Sequence, residues 1–481
     1  MSHKKAAGSK GRGKGRCRKH RTVSRKPRPR EPKRTAAYRH PLTAAMADLL
    51  KGLVGAAADK GRSGHKLLWT PLLLSLCAIL MSWDPSPSLT QRFAAAGLSL
   101  SHLLPGKARG GSYQGWIKAM ARNGSLNQRL ADRMRDSIRQ RTTAGGCWLR
   151  QGWNAFTADS SKFNCPRTRE NEGAFGCASK KGKSPGIPQQ LLTLLWHMGS
   201  GLPWAWQAGV ARASEREQLL SLLPMLPPQA LLVADAGFVG YPLLKSIADT
   251  RRYFLIRVGA NVSLIAKLGF FQEKEDTVYL WPSYDTRKNT RRRRQAPMVL
   301  RLIRLQEPGK KTVYLLSNVL EESRLSQRAA HLFYRLRWGV EVFFRSLKQT
   351  LCRRKLGSAA PVQAKLELDW AVMGIALLGY LSVAAVLAAG KDPMSYSVAL
   401  ALARLREAAG RSAAAASGLQ ALLSNALKDS YTRTTAKTSR NWPRRKRCKP
   451  PGKPRLRRAT RAEVKMAHEF HRQSVLQQFT A

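Results

Sequence analysis

The chain has 481 residues, with 85 Lys and Arg against 28 Asp and Glu, a formal net charge of +57 at pH 7. Apolar residues make up 43%, enough to build folded cores and to exclude a chain disordered throughout. Self-repulsion on this scale argues against a merely soluble basic protein and points to a polyanionic partner, nucleic acid first and a membrane surface second.

Residues 1–44 are Lys, Arg, Gly, Pro and Ser around a single acid, Glu31, and predict a disordered arm that holds phosphates without sequence preference. Residues 45–145 read as a helical region. Pro71 to Trp83 is an apolar run stopped by Asp84-Pro85, and amphipathic pieces follow at Leu89–Ala96, Tyr113–Arg122 and Leu126–Arg139. Its charge and position suit a DNA-binding role. None of the cysteines (Cys17, Cys77, Cys147, Cys165, Cys177, Cys352, Cys448) forms a Cys-x-x-Cys pair, which argues against zinc. Their odd number and the lack of a secretion signal point to a reducing, cytoplasmic setting.

From residue 146 the pattern becomes mixed α/β. GWNAFTAD reads as a strand that ends at Asp159 and enters a polar loop. Strands follow at Gln190–His197 and Leu202–Ala211. Ser214 and Glu217 have capping-box spacing and start a helix. Ala230–Ala234 is a short apolar run, hence a buried strand, and delivers Asp235 at its C-terminal end. A helix over Tyr241–Thr250 and a strand over Tyr253–Val258 complete this part. Residues 259–325 form a β-rich insertion, with strands in VYLWPSY, VLRLIRL and KTVYLLS. Its basic tip carries Arg291, Arg292 and Arg293 for phosphate contact, and Trp281 could stack on an unpaired base.

His331 to Leu351 predicts one helix. At about 100° per residue, Leu332, Phe333, Leu336, Val340, Phe343, Phe344 and Leu347 share a broad apolar face. Tyr334, Arg337, Glu341 and Lys348 line up beside it. A carboxylate at the rim of a buried face is a candidate metal ligand, and the cations and phenol around it can hold phosphate oxygens. A salt-bridged helix flank is the plainer reading, since Arg337 and Glu341 are four apart. Downstream, the uncharged run Trp370–Gly390 is long enough to span a bilayer, or is a buried helix of a helical region over 361–430. Residues 431–481 are again basic and Pro-rich, and predict an extended, disordered tail.

The spacing Tyr334-x2-Arg337-x3-Glu341-x6-Lys348 resembles the signature of DDE transposases of the insertion-sequence-4 type. ADAGFVG around Asp235 and LSNVLEES at Leu316–Ser323 are similar to further motifs of that family. The resemblance covers about residues 150–360. It implies an α/β RNase H-like core over 146–258 and 326–360, interrupted by the insertion and flanked by the helical regions and basic tails. It implies catalytic and metal-binding roles for Asp159, Asp235 and Glu341, with Mg²⁺ (or Mn²⁺) as cofactor. Tyr334, Arg337 and Lys348 would bind DNA. The implied activity is cut-and-paste transposition, in which transposon ends are bound and cleaved and their 3′-OH ends joined to target DNA. The implied partner is double-stranded DNA, held by a homodimer in a bacterial cytoplasm near the nucleoid, with Trp370–Gly390 buried and no stable membrane association. The alternatives are a catalytically inactive, captured DNA-binding derivative and a plain RNase H-like nuclease.

Overall fold

The computed structural model describes residues 40–50, 68–105, 111–177, 186–270, 272–282, 295–309, 311–429 and 452–479, without the side chains of Asp48 and 471–479. Residues 1–39 of the basic arm and Arg291, Arg292 and Arg293 lie outside these residues, whereas residues 40–44, expected to be disordered, cap and enter a helix over Pro41–Ala45 with Leu42 buried.

A ten-stranded mixed sheet is the backbone of the described part. Its strands are β1 (Ala155–Asn164), β2 (Gln189–His197), β3 (Leu202–Val210), β4 (Leu231–Ala234), β5 (Tyr253–Val258), β6 (Ser263–Ala266), β7 (Thr277–Leu280), β8 (Met298–Leu305), β9 (Val313–Ser317) and β10 (Arg455–Arg458). The order across the sheet is β10-β6-β7-β8-β9-β5-β4-β1-β2-β3. β1, β4 and β5 are parallel neighbours, while β2 and β3 add antiparallel to β1. The succession strand, strand, strand, helix, strand, helix, strand expected from the sequence is therefore present, with a short extra helix between β1 and β2. The insertion does not stand apart. β9 pairs antiparallel with β5, so the insertion extends the same sheet.

The helices are α1 (Pro41–Ala45), α2 (Ala47–Leu50), α3 (Pro71–Trp83), α4 (Leu89–Leu103), α5 (Tyr113–Arg122), α6 (Leu126–Ala144), α7 (Arg169–Phe175), α8 (Glu215–Leu222), α9 (Tyr241–Asp249), α10 (Gln327–Leu336), α11 (Trp338–Arg345), α12 (Pro361–Ala388), α13 (Val398–Ala409), α14 (Leu419–Ser424) and α15 (Arg461–Phe479). Side chains alternate along a strand, so the sheet has two apolar faces. Leu194, Trp196, Leu231, Val233 and Leu255 pack with α10 to α12 and the N-terminal helices. Phe156, Leu195, Leu232 and Phe254 pack on the other face with α8 and α9. α12 is long and apolar enough to cross a membrane by composition, and 83% of its most apolar window is buried inside the structure. Apolar residues all round a helix are what a central core position demands.

Three further expectations need correction. Asp159 is not at a strand end: β1 continues to Asn164, because Ser160 to Asn164 pair with the apolar β2 and Ser160 Oγ bonds Thr193 Oγ1 at 2.7 Å. The helix over 331–351 is not one regular helix but α10, α11 and a π turn over Ser346–Thr350. The tail is not extended and disordered throughout: β10 adds parallel to β6, and Ala467 and Met466 of α15 pack with Ile265 and Tyr279. Basic composition had masked that apolar stripe.

The N-terminal helices are locked to the loop that leaves the π turn. The buried Arg353 guanidinium donates to the carbonyls of Met81, Ser82 and Asp84 at 2.8–2.9 Å, which caps the C-terminal end of α3. Burial lowers its pKa to about 10, so the ion stays protonated at neutral pH. Arg92 pairs with Glu367 at 2.8 Å in the same interior, and Glu367 also accepts from the Gly357 and Ser358 amides. Arg353→Leu should leave these carbonyls without a donor and lower the unfolding free energy by about 3 kcal/mol or more, read from urea denaturation.

Candidate active site

β1 and β4 pair in parallel from Ala155 with Leu231 to Thr157 with Val233. β4 then stops at Ala234 while β1 runs on. Continued by two residues, the same register sets Asp159 beside Asp235, on strands about 4.8 Å apart. Both point to the face covered by α11, as Leu231, Val233 and Leu255 do. Strand parity alone therefore brings the two aspartates together.

α10 and α11 lay the other residues over this pair. Arg337 is 7% exposed and donates from Nη2 to Glu341 Oε1 at 2.7 Å. Its guanidinium carbon lies 5.6 Å from the Tyr334 ring centre. Burial alone would lower the Arg337 pKa, but the hydrogen bond to Glu341 and the nearby Asp235 raise it above its ordinary value. Lys348 donates from Nζ to Ser161 Oγ at 2.7 Å, on the same face of β1 as Asp159. Burial, with Arg354 nearby, lowers its pKa, and Asp159 opposes that shift. Tyr334 accepts from Arg257 Nη1 at 3.2 Å. Asp159, Asp235, Glu341, Tyr334, Arg337 and Lys348 are thus gathered at one place.

Trp281 is not. It packs in a separate apolar cluster with Ile265, Tyr279 and Ala467, its indole donating to the Gln295 carbonyl at 2.8 Å. A ring used in this way is a core residue of the insertion. Arg257 escaped the sequence reading, although a signal existed. It occupies an inward-facing parity on a buried strand, two residues from Leu255, where a charge is costly unless it meets partners.

The Asp159 carboxyl is electrostatically stressed. Burial pushes the Asp159 carboxyl up to about 6, and Glu341 and Glu215 add to that, while the Ser160 amide and Arg337 oppose it. Asp235 Oδ1 is buried without a hydrogen-bond partner. Two neighbouring carboxylates, one short of a donor and one held back from ionising, suit a cation. Glu341 is drawn to Arg337 instead, and among the described residues no three of His, Cys, Asp and Glu stand close enough to hold one ion together. Beside this group, a cavity of about 320 Å³ is lined in part by Arg257, Lys311, Tyr334, Arg337 and Trp338 and by the His331–Glu307 pair. The Trp338 side chain is large, apolar and 52% exposed there.

The raised Asp159 pKa has a consequence for stability. The unfolded carboxyl ionises near 3.8 and the folded one near 6, so the unfolded chain holds fewer protons between these values and stability falls as pH rises through them. Above pH 6 the full cost remains. Without divalent ions, Asp159→Asn should be more stable than wild type at pH 7.5 by about 1–3 kcal/mol, with the difference vanishing below pH 4. Thermal unfolding across pH in the presence of a chelator checks it.

Residues 154–376 match a family model described as the transposase DDE domain. Transposase InsG for insertion sequence element IS4, from Escherichia coli (strain K12), is 28% identical over 228 residues, which cover 46% of this chain and 50% of that relative. The chain thus spans about half the length of the curated relative it matches. A solved structure, the piggyBac transposase synaptic complex with hairpin DNA, aligns over 84% of each chain with 13% identity and a TM-score of 0.38.

Proposed function

We propose that the chain belongs to the DDE transposases of the insertion-sequence-4 type, supported by the family match over residues 154–376, and that it binds the ends of its own element, cleaves phosphodiester bonds there and joins the freed 3′-OH ends to target DNA. The observation that carries this reading is the register that sets Asp159 beside Asp235 at the end of β4, under the helix that bears Glu341. The sheet order β3-β2-β1-β4-β5 is that of an RNase H-like core.

Asp159 and Asp235 would hold divalent ions, Mg²⁺ or Mn²⁺, with Glu341 as the third ligand. Bound there, two such ions supply positive charge at both the attacking and the leaving oxygen of an in-line displacement. The unpartnered Asp235 Oδ1 and the strained Asp159 carboxyl fit that role. Glu341 would exchange the Arg337 guanidinium for an ion, which frees Arg337 for a phosphate. Arg257 holds the Tyr334 hydroxyl, so phenol and guanidinium would together present donors to a backbone phosphate. Lys348, anchored on Ser161, adds a point charge on the opposite side of Asp159. Two copies of the chain on paired ends complete the reading, with the basic arm of residues 1–39 holding flanking DNA.

Glu341→Gln keeps size and helix propensity and removes the charge. Mg²⁺-dependent nicking of a duplex that carries the terminal repeats flanking the gene should fall by about 10³-fold or more, with folding and DNA affinity retained. If Glu341 serves only the Arg337 ion pair, the change costs about 0.3–0.5 kcal/mol of stability and nicking stays normal. Deleting residues 1–39 should weaken binding about equally on all DNA sequences and flatten the dependence of affinity on salt. Unchanged salt slopes would refute the role given to the arm.

A further inference from the structure

Gly339 sits two residues before Glu341, and its backbone is in direct contact with the ring of Trp196. A Cβ added to Gly339 would lie 2.6 Å from Trp196 Cζ3 and 2.8 Å from Cζ2, closer than side-chain carbons approach. Trp196 is almost fully buried on β2, opposite Thr157 of β1. It therefore shares the sheet face of Asp159, which lies two residues further along β1. The β2–β3 pairing slips between Leu195 and Trp196, an irregularity of the kind that re-aims a side chain.

The helix segment above this contact departs from regular α-helical spacing on both sides. At its start, the Val340 amide bonds the Arg337 carbonyl at 3.2 Å, a tighter step than the α-helix makes. At its end, the Leu351 amide bonds the Ser346 carbonyl at 3.0 Å, a wider one. Between these two breaks α11 carries Glu341, and the Trp196 ring is the surface it rests on. A cavity of about 80 Å³ adjoins the contact, lined in part by Trp196 and Gly339 together with Val342, Phe343, Ile375 and Met394.

We propose that Trp196 is a positioning residue: its ring, pressed on Gly339, sets the height of α11 above the sheet and so the reach of Glu341 to Asp159 and Asp235. This rests on the metal-dependent reading above. The ring touches neither DNA nor an ion. It acts through the helix backbone, and only glycine at 339 allows the approach.

A size exchange tests it. Gly339→Ala drives ring and helix apart, and Trp196→Phe removes the ring atoms that would meet the new methyl. Single-turnover nicking by Gly339→Ala should fall by about 10²-fold, the effect of displacing a catalytic group by about 1 Å, while the dissociation constant for end DNA is unchanged. The rise in Tm that Mg²⁺ produces in wild type should be largely lost as well. The double variant Gly339→Ala/Trp196→Phe should regain most of both. Wild-type nicking by Gly339→Ala, or a folded double variant no better than Gly339→Ala, overturns the proposal. Should Gly339→Ala not fold, Trp196→Phe alone decides: slower nicking and a higher Mg²⁺ requirement support it, and wild-type values for both overturn it. The Glu341→Gln protein separates the two levels. If it nicks normally, the metal-site reading itself fails. If it is inactive while Gly339→Ala is normal, only the role of Trp196 fails.

Discussion

Carboxylates packed together under a helix repel one another and lose hydration, so such a group needs a cation in the same interior. Arg337 is that cation. It is buried, bonds Glu341, and acts on both Asp159 and Asp235 through space. Its own charge is secured by the acids it serves, since burial without them would weaken it. Every other feature of the site is arranged around this balance. Tyr334 is placed against the guanidinium, and Arg257 is placed against Tyr334.

The balance leaves a polarised assembly rather than a satisfied one. Asp235 Oδ1 and Arg337 Nε are both buried without hydrogen-bond partners among the described residues. A stable structural ion pair would have used those atoms. Buried polar atoms left unmet in this way mark the group as a candidate binding site.

The scaffold spreads the load over distant parts of the chain. The end of β1 is tied to the loop after the π turn by the Leu356 amide on the Asn164 carbonyl at 2.8 Å. That loop holds Arg353, which caps α3, and its amides at Gly357 and Ser358 hold Glu367 of α12. The N-terminal helices, the π turn that follows α11 and the long buried helix thus form one connected support. Trp196 and Gly339 make the corresponding contact from the sheet side.

Much of this was legible from local pattern. The apolar run Ala230–Ala234 marked a buried strand, and Asp235 at its end followed from that alone. The four-residue spacing of Arg337 and Glu341 gave their pairing, because helix periodicity is a local property. Basic composition, by contrast, hid the packing of α15, since charge counts carry no information about which face is apolar. Periodicity also did not reveal that the helix over 331–351 ends in a π turn over Ser346–Thr350, or that Gly339 meets a ring from β2. Nor could it reveal that Arg257 meets Tyr334, or that Trp281 packs in a core rather than facing DNA. These depend on contacts between residues far apart in the chain, where register, a bulge and the volume of one side chain decide the outcome. Charge and its period along the chain are local properties that any reading of the residues can recover; which of those charges share one buried space depends on strand register and packing between distant segments.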